Sequence, residues 1–280
     1  MTSSPQTGSA RTGGTLQVED APLLVGDRAG DAPVAVALQG VSKVYGRGRQ
    51  AVLAVDRLDL QVHRGEFLCL VGASGCGKST LLSMVSGLEP VSAGTIEVTD
   101  GHKPAQMFQE SALLPWLTVR ANVELALRLR GVPRREREGQ ARELLATVHL
   151  ADFADKRPHE LSGGMRQRVA LARTLAQRSP VLLMDEPFGA LDAMTRDVLH
   201  DEIERIWRER DLTVVFVTHN VREAARLGDR IVLLSSRPGR VLQEYPVDIP
   251  RPRRIDSPQV AELAAAVTDR LRSEVRRHGR

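Results

Sequence analysis

Residues 72–80, GASGCGKST, constrain this chain more than any other stretch. They fit G-x-x-x-x-G-K-[ST], with Gly72, Gly77, Lys78 and Ser79 in the defining places. The apolar run Phe67-Leu68-Cys69-Leu70-Val71 precedes them and reads as a buried strand. Thr80-Leu81-Leu82-Ser83-Met84-Val85 follows and opens a helix with an apolar face. A glycine loop between strand and helix lets backbone N–H groups crowd around a phosphate chain, with the positive end of the helix dipole aimed at the same spot. Lys78 then neutralises the outer phosphates, and the Ser79 hydroxyl ligates Mg²⁺. The competing reading, a plain glycine turn, explains neither Lys78-Ser79 nor the two flanks.

Composition narrows the setting. The chain has 280 residues, 42% of them hydrophobic and 26% charged, as in an ordinary soluble globular protein. No apolar run approaches the ~18 residues that cross a bilayer, and the Ser/Thr/Gly-rich start lacks a signal-peptide core. Two cysteines, Cys69 and Cys76, match no zinc spacing and fit a reduced cytosolic compartment. The net charge of +4 is mild and its arginines gather near the C-terminus, so no nucleic-acid partner is expected.

Along the chain, residues 1–33 read as a flexible extension rich in Gly, Ser, Thr and Asp. Strands are expected over 34–44, 52–62, 67–71, 95–98, 181–184, 213–217, 231–234 and 241–247. Between about 110 and 160 the texture is helical: Val119, Val123, Leu125, Leu127 and Leu129 share one pattern that stops at Gly131-Val132-Pro133. A charged helix follows, its apolar side at Leu144, Leu145 and Val148. This stretch reads as a helical subdomain inserted into an α/β body. Further helices are expected over 163–177, 191–210 and 221–227. Strands separated by helices indicate a mainly parallel sheet covered on both faces.

Polar groups fall at three strand ends, where parallel sheets bind ligands. Asp185 and Glu186 end the apolar run at 181–184; Asp185 suits Mg²⁺ and Glu186 an attacking water, the alternative being two acids capping a turn. His219 and Gln109 stand at similar places, and their joint placement makes them candidates for the γ-phosphate and its water. Leu161-Ser162-Gly163-Gly164-Met165 opens a helix with Ser162 as N-cap. It is either a capped helix start or a second phosphate site, and the latter makes sense if it closes on the nucleotide of another molecule. Cys76 likewise has two readings: a thiolate favoured by Lys78 and the helix start, or a buried inert thiol.

Taken together, the glycine loop, LSGGM at 161–165, Asp185-Glu186 with its FGALD, and THN ending at Asn220 resemble the ATPase subunits of ABC transporters. The likeness covers roughly residues 34–247. It implies an α/β P-loop NTPase core of mainly parallel sheet, with an antiparallel β edge region and the inserted helical subdomain. It further implies ATP and Mg²⁺ as cofactors. Tyr45 stacks on adenine; Gly72, Ala73, Ser74, Gly75, Cys76, Gly77, Lys78, Ser79 and Thr80 wrap the phosphates. Ser79, Asp185 and Gln109 serve the metal, Glu186 is the catalytic carboxylate and His219 holds the γ-phosphate. Ser162, Gly163 and Gly164 contact the nucleotide of a second copy, and Asp192 belongs to the loop crossing between copies. Segments such as LLPWLTVRANV and LLSSRPGRV resemble the nitrate/sulfonate/taurine-type import ATPases. Met165 stands where the widest family pattern has Gln, and the span between Ile96 and Gln109 is short for the family. The implied partners are a second ATPase subunit, membrane permease chains and, indirectly, a solute-binding protein. The implied place is the cytoplasmic face of the membrane, held peripherally. The alternative is a soluble ABC-type ATPase acting on ribosome or DNA, although such proteins usually carry two cassettes or a long coiled coil.

Residues 250–280 form a basic tail. Val260, Leu263, Ala264, Val267, Leu271 and Val275 recur at helical spacing with arginines opposite. A helix packed on the body or on a second copy is expected, with anionic lipid as the alternative.

Overall fold

The interiors of the central strands are apolar, and the pleat sends alternate residues to opposite faces. Phe67, Cys69, Val71, Leu182, Met184, Val214, Phe216, Ile231 and Leu233 enter one core, while Leu68, Leu70, Val181, Leu183, Val215, Val217, Val232 and Leu234 enter another. Such strands are stable only inside a sheet covered on both sides. The computed structural model, which describes residue 1, residues 32–189 and residues 191–278, builds that sheet. Residues 2–31, most of the expected N-terminal extension, lie outside the described residues.

Among the described residues there are two sheets. The smaller is antiparallel, with β1 (Val34–Tyr45) between β2 (Val52–His63) and β4 (Ala93–Val98). The larger has β3 (Phe67–Val71) inside the order β5-β6-β7-β3-β8-β9. Its other strands are β5 (Ala105–Met107), β6 (Val181–Asp185), β7 (Thr213–Thr218), β8 (Arg230–Leu234) and β9 (Val241–Pro246). All run parallel except β9, which turns back on β8. The fold is therefore the mainly parallel α/β core with an antiparallel β region that the resemblance implies.

One face of the large sheet is covered by the small sheet and by α1 (Lys78–Val85), through Leu81, Leu82, Met84 and Val85. The other is covered by the remaining helices. These are α2 (Val119–Leu129), α3 (Arg134–Thr147), α4 (Gly163–Leu175), α5 (Ala193–Glu209), α6 (Val221–Leu227) and α7 (Pro258–His278). Thr118 caps α2, its hydroxyl accepting from Ala121 N–H at 3.1 Å. Asn122, fully buried, is why that helix starts where it does: its amide bonds Leu114, Leu117 and Thr118 carbonyls and accepts from Leu114 N–H. Leu129 departs from the expected pattern and is exposed, because the buried stripe runs Val119, Asn122, Val123, Ala126, Leu127.

The tail packs on the body. Val260, Ala264 and Val267 are buried against α6, whereas Val275, at the far end of the stripe, is exposed. Two arginines before α7 fasten it. Arg251 lies 4.6 Å over the Trp207 ring and pairs with Glu204 and Asp229. Arg253 is buried and donates to the carbonyls of Val247, Ile249, Ala225, Arg226 and Gly228. No described helix is long and apolar enough to cross a membrane.

Candidate active site

Because β5, β6, β7 and β3 are neighbours and parallel, their C-terminal ends open on one edge. That edge carries the loop after β3, Asp185-Glu186 after β6, His219 after β7 and Gln109 after β5. A cleft of about 530 Å³ lies there, lined by Tyr45, Val52, Ala54, Ser74, Gly75, Gly77, Lys78, Ser79, Thr80, Gln109, Glu186 and Arg237. Sequence-distant candidates are thus brought together. Ser162 and Gly164 do not line this cleft.

The loop turns through left-handed glycines, with φ of 75° at Gly75 and 101° at Gly77, the N-cap of α1. Gly77 also has no room for a side chain, since a Cβ would meet Ala54 O at 2.9 Å. Lys78, 6% exposed, folds back and donates to Gly72 O at 2.8 Å and Ala73 O at 3.0 Å. No carboxylate lies within ion-pair distance of it among the described residues, so backbone carbonyls hold this buried cation at the cleft. Tyr45 ends β1 half-exposed, and Lys43 Nζ sits 4.9 Å from its ring centroid.

Glu186 has φ of 43°, a left-handed backbone that non-glycine residues rarely adopt. Its N–H donates to Val217 O at 2.9 Å, and its Oε2 lies 2.8 Å from His219 Nδ1. A carboxylate only accepts, so Nδ1 carries the shared hydrogen. Phe188, buried against Phe216 and His200, anchors the turn that follows. Burial pushes the Asp185 carboxyl above its ordinary range; the Ser79 hydroxyl and Lys78 oppose this, and Glu186 adds to it. Asp185 Oδ1 is buried without a hydrogen-bond partner. Gln109 is held from behind: Gln167 of α4 donates to its carbonyl at 2.7 Å.

Ser162 caps α4, its hydroxyl accepting from Met165 N–H at 3.2 Å. The two glycines after it differ. A Cβ on Gly163 would meet ordinary neighbours, but one on Gly164 would collide with Thr195 Cγ2 of α5. Gly164 is therefore accounted for by helix packing, beyond freeing an N–H. Asp192 caps α5 through Thr195 N–H at 3.0 Å and Thr195 Oγ1 at 2.7 Å.

The thiolate reading of Cys76 is corrected. Its side chain is 1% exposed and packed in the core under α1. Burial raises its thiol against the opposing pull of Lys78. Its N–H is spent on Ala73 O at 3.3 Å. Like Val52 and Ala54 of β2, Arg237 is a cleft-wall residue that sequence reasoning missed. It sits in the turn between β8 and β9 and donates to Gly75 O at 3.3 Å from 162 positions away. Only the docking of that turn on β2, through Gly239 N–H to Ala54 O at 2.9 Å, brings it there.

Residues 55–189 match the model of the ABC transporter family. The nitrate import ATP-binding protein NrtD of Synechocystis sp. is 43% identical, over 75% of this chain and 81% of that protein. The chain belongs to the ABC transporter family. The aliphatic sulfonates import ATP-binding protein SsuB 1 of Burkholderia lata is 48% identical, over 85% of this chain and 72% of that protein. The dimeric, post-hydrolysis structure of the ATP-binding cassette MJ0796 bound to ADP and Pi superposes with a TM-score of 0.67 at 33% identity, over 76% of this chain and 99% of that one. This ABC cassette is an ATP-binding and ATP-hydrolysing transport subunit, and the soluble ribosome- or DNA-directed alternative falls away.

Proposed function

We propose that this subunit energises import of a small anionic nutrient of the nitrate or sulfonate kind. It works as one of two cassettes docked on permease chains at the cytoplasmic face, with a solute-binding protein delivering the cargo. The solute class is supported by the names of its relatives. The chemistry rests on one observation: the Glu186–His219 pair, 2.8 Å apart, stands at the cleft that Lys78 and Ser79 line.

In this reading Tyr45 offers its free ring face to adenine, since Lys43 covers the other. Lys78 exchanges the carbonyls of Gly72 and Ala73 for the outer phosphates. Mg²⁺ fits the donor set, because Asp185 presents an unpartnered buried oxygen beside the Ser79 hydroxyl, with Gln109 on the same cleft. When bound it offsets the charge that develops on the transferred phosphoryl oxygens. Glu186 orients the attacking water and accepts its proton, while His219, fixed against Glu186 through Nδ1, stands at the γ-phosphate. Ser162, Gly163 and Gly164 at the start of α4 cap the nucleotide of the second copy.

Two experiments test this. Purified wild-type chain should hydrolyse ATP, Lys78→Ala should not, and wild-type turnover by folded Lys78→Ala would overturn the site. Cells lacking this chain should fail to grow on nitrate as nitrogen source or on an alkanesulfonate as sulfur source; normal growth on both would overturn the solute class.

A further inference from the structure

Glu223 lies on α6, does not line the cleft and is 5% exposed. Burying a carboxylate is costly unless its oxygens are fully used. Oε2 accepts from Thr218 Oγ1 at 2.6 Å, and the same hydroxyl accepts from Asn220 N–H at 3.0 Å. The residues on either side of His219 are thereby pinned to one carboxylate. Oε1 faces α5, with Arg196 Nε at 3.4 Å and His200 Nε2 at 3.6 Å. Arg196 continues to Leu191 O at 2.8 Å, the residue before Asp192. His200, fully buried, meets the Phe188 ring with centroids 5.4 Å apart, in the turn that follows Glu186. One acidic group thus reaches all three segments that carry Glu186, Asp192 and His219.

Burial pushes the Glu223 carboxyl up, but His200, the Thr218 hydroxyl and Arg196 outweigh it and hold it below its usual range. Glu223 is not needed merely to keep α6 on α5, because Arg226 of α6 pairs separately with Asp197 and Asp201.

We infer that Glu223 is a positioning residue for ATP hydrolysis, fixing His219 against Glu186 and tying that pair to the Asp192 turn. The inference rests on the reading of Glu186 and His219 as the hydrolytic pair. Glu223→Gln keeps the shape and an oxygen for Thr218 but removes the charge that Arg196 and His200 face. Thr218→Val removes the shared hydroxyl at nearly constant volume.

The test compares kcat, ATP Kd and melting temperature for the full chain and these two variants, with His219→Gln alongside. Both variants should lose about tenfold or more in kcat, with ATP Kd within about twofold because the glycine loop is untouched. In histidine-selective NMR, the His219 ring signal, assigned by its loss in His219→Gln, should shift in both. Glu223→Ala, which leaves the Thr218 O–H without its acceptor and removes the charge that Arg196 and His200 face, should be worse, and Glu223→Gln decides if it fails to fold. Folded Glu223→Gln and Thr218→Val with wild-type kcat and an unmoved His219 signal would overturn the inference. So would parallel losses of kcat, ATP affinity and melting temperature, the mark of a purely structural role. An active His219→Gln instead overturns the hydrolytic pair itself.

Discussion

Alanine at Gly164 would add one methyl group where α4 starts against α5. That methyl lands on Thr195 Cγ2, well inside the ~3.5–4.0 Å at which carbons rest, and 3.7 Å from Thr195 Cβ. Thr195 cannot step aside freely, because its hydroxyl bonds Asp192 Oδ2 at 2.7 Å and its N–H bonds Oδ1 at 3.0 Å. Rotating it gives up a hydroxyl bond of about 0.5–1.5 kcal/mol. Keeping it forces α4 off α5, an overpacking cost of about 1–3 kcal/mol. Alanine's better helix propensity returns less than ~1 kcal/mol. The cheaper route less that return leaves a net loss of about 0.5–1 kcal/mol, a fall of roughly 1–4 °C in melting temperature for a domain of this size. Thermal unfolding followed by circular dichroism would measure it, on Gly164→Ala, Thr195→Ser and the double variant. Thr195→Ser deletes Cγ2 and keeps the cap, so the double variant should melt close to Thr195→Ser alone. An unshifted Gly164→Ala, or a shift that Thr195→Ser does not relieve, would refute the packing account of this glycine.

Cys76 should resist maleimide at neutral pH equally with and without Mg-ATP, because its thiol is buried and raised; labelling that ATP blocks would restore it to the cleft. Arg253→Ala strips several buried carbonyls of their donor and should cost about 2–4 kcal/mol in urea unfolding with ATP affinity unchanged; a stable variant would mean α7 needs no such fastening. Glu186→Gln should bind ATP without turnover and shift from monomer to dimer in light-scattering chromatography on adding ATP. Ser162→Arg added to it should abolish that shift, and a Glu186→Gln protein that binds ATP yet stays monomeric would count against the two-site sandwich.

Strands and helices were readable because both signals are local. Continuous apolar runs such as 67–71 and 214–217 announce strands buried on both faces, and Ser162 announces a helix start. The loop and the strand-end groups were readable because each follows an apolar run directly. What stayed hidden depends on distant partners. Arg237 joins the cleft only after β9 folds back on β8 and the turn docks on β2. The packing demand on Gly164, beyond freeing an N–H, shows only once Thr195 is placed against it. Cys76 sits between two loop glycines in sequence, yet its side chain turns inward beneath α1, a direction that spacing does not encode.

The backbone of Glu186 sets stability against turnover. A left-handed φ of 43° at a residue with a Cβ costs of order 1 kcal/mol or more, and nothing about folding alone requires a carboxylate there. Glycine at 186 should therefore yield a sturdier and idle protein, with a higher melting temperature and no turnover. Melting temperature and turnover moving in opposite directions in Glu186→Gly would measure what that contorted backbone costs the fold.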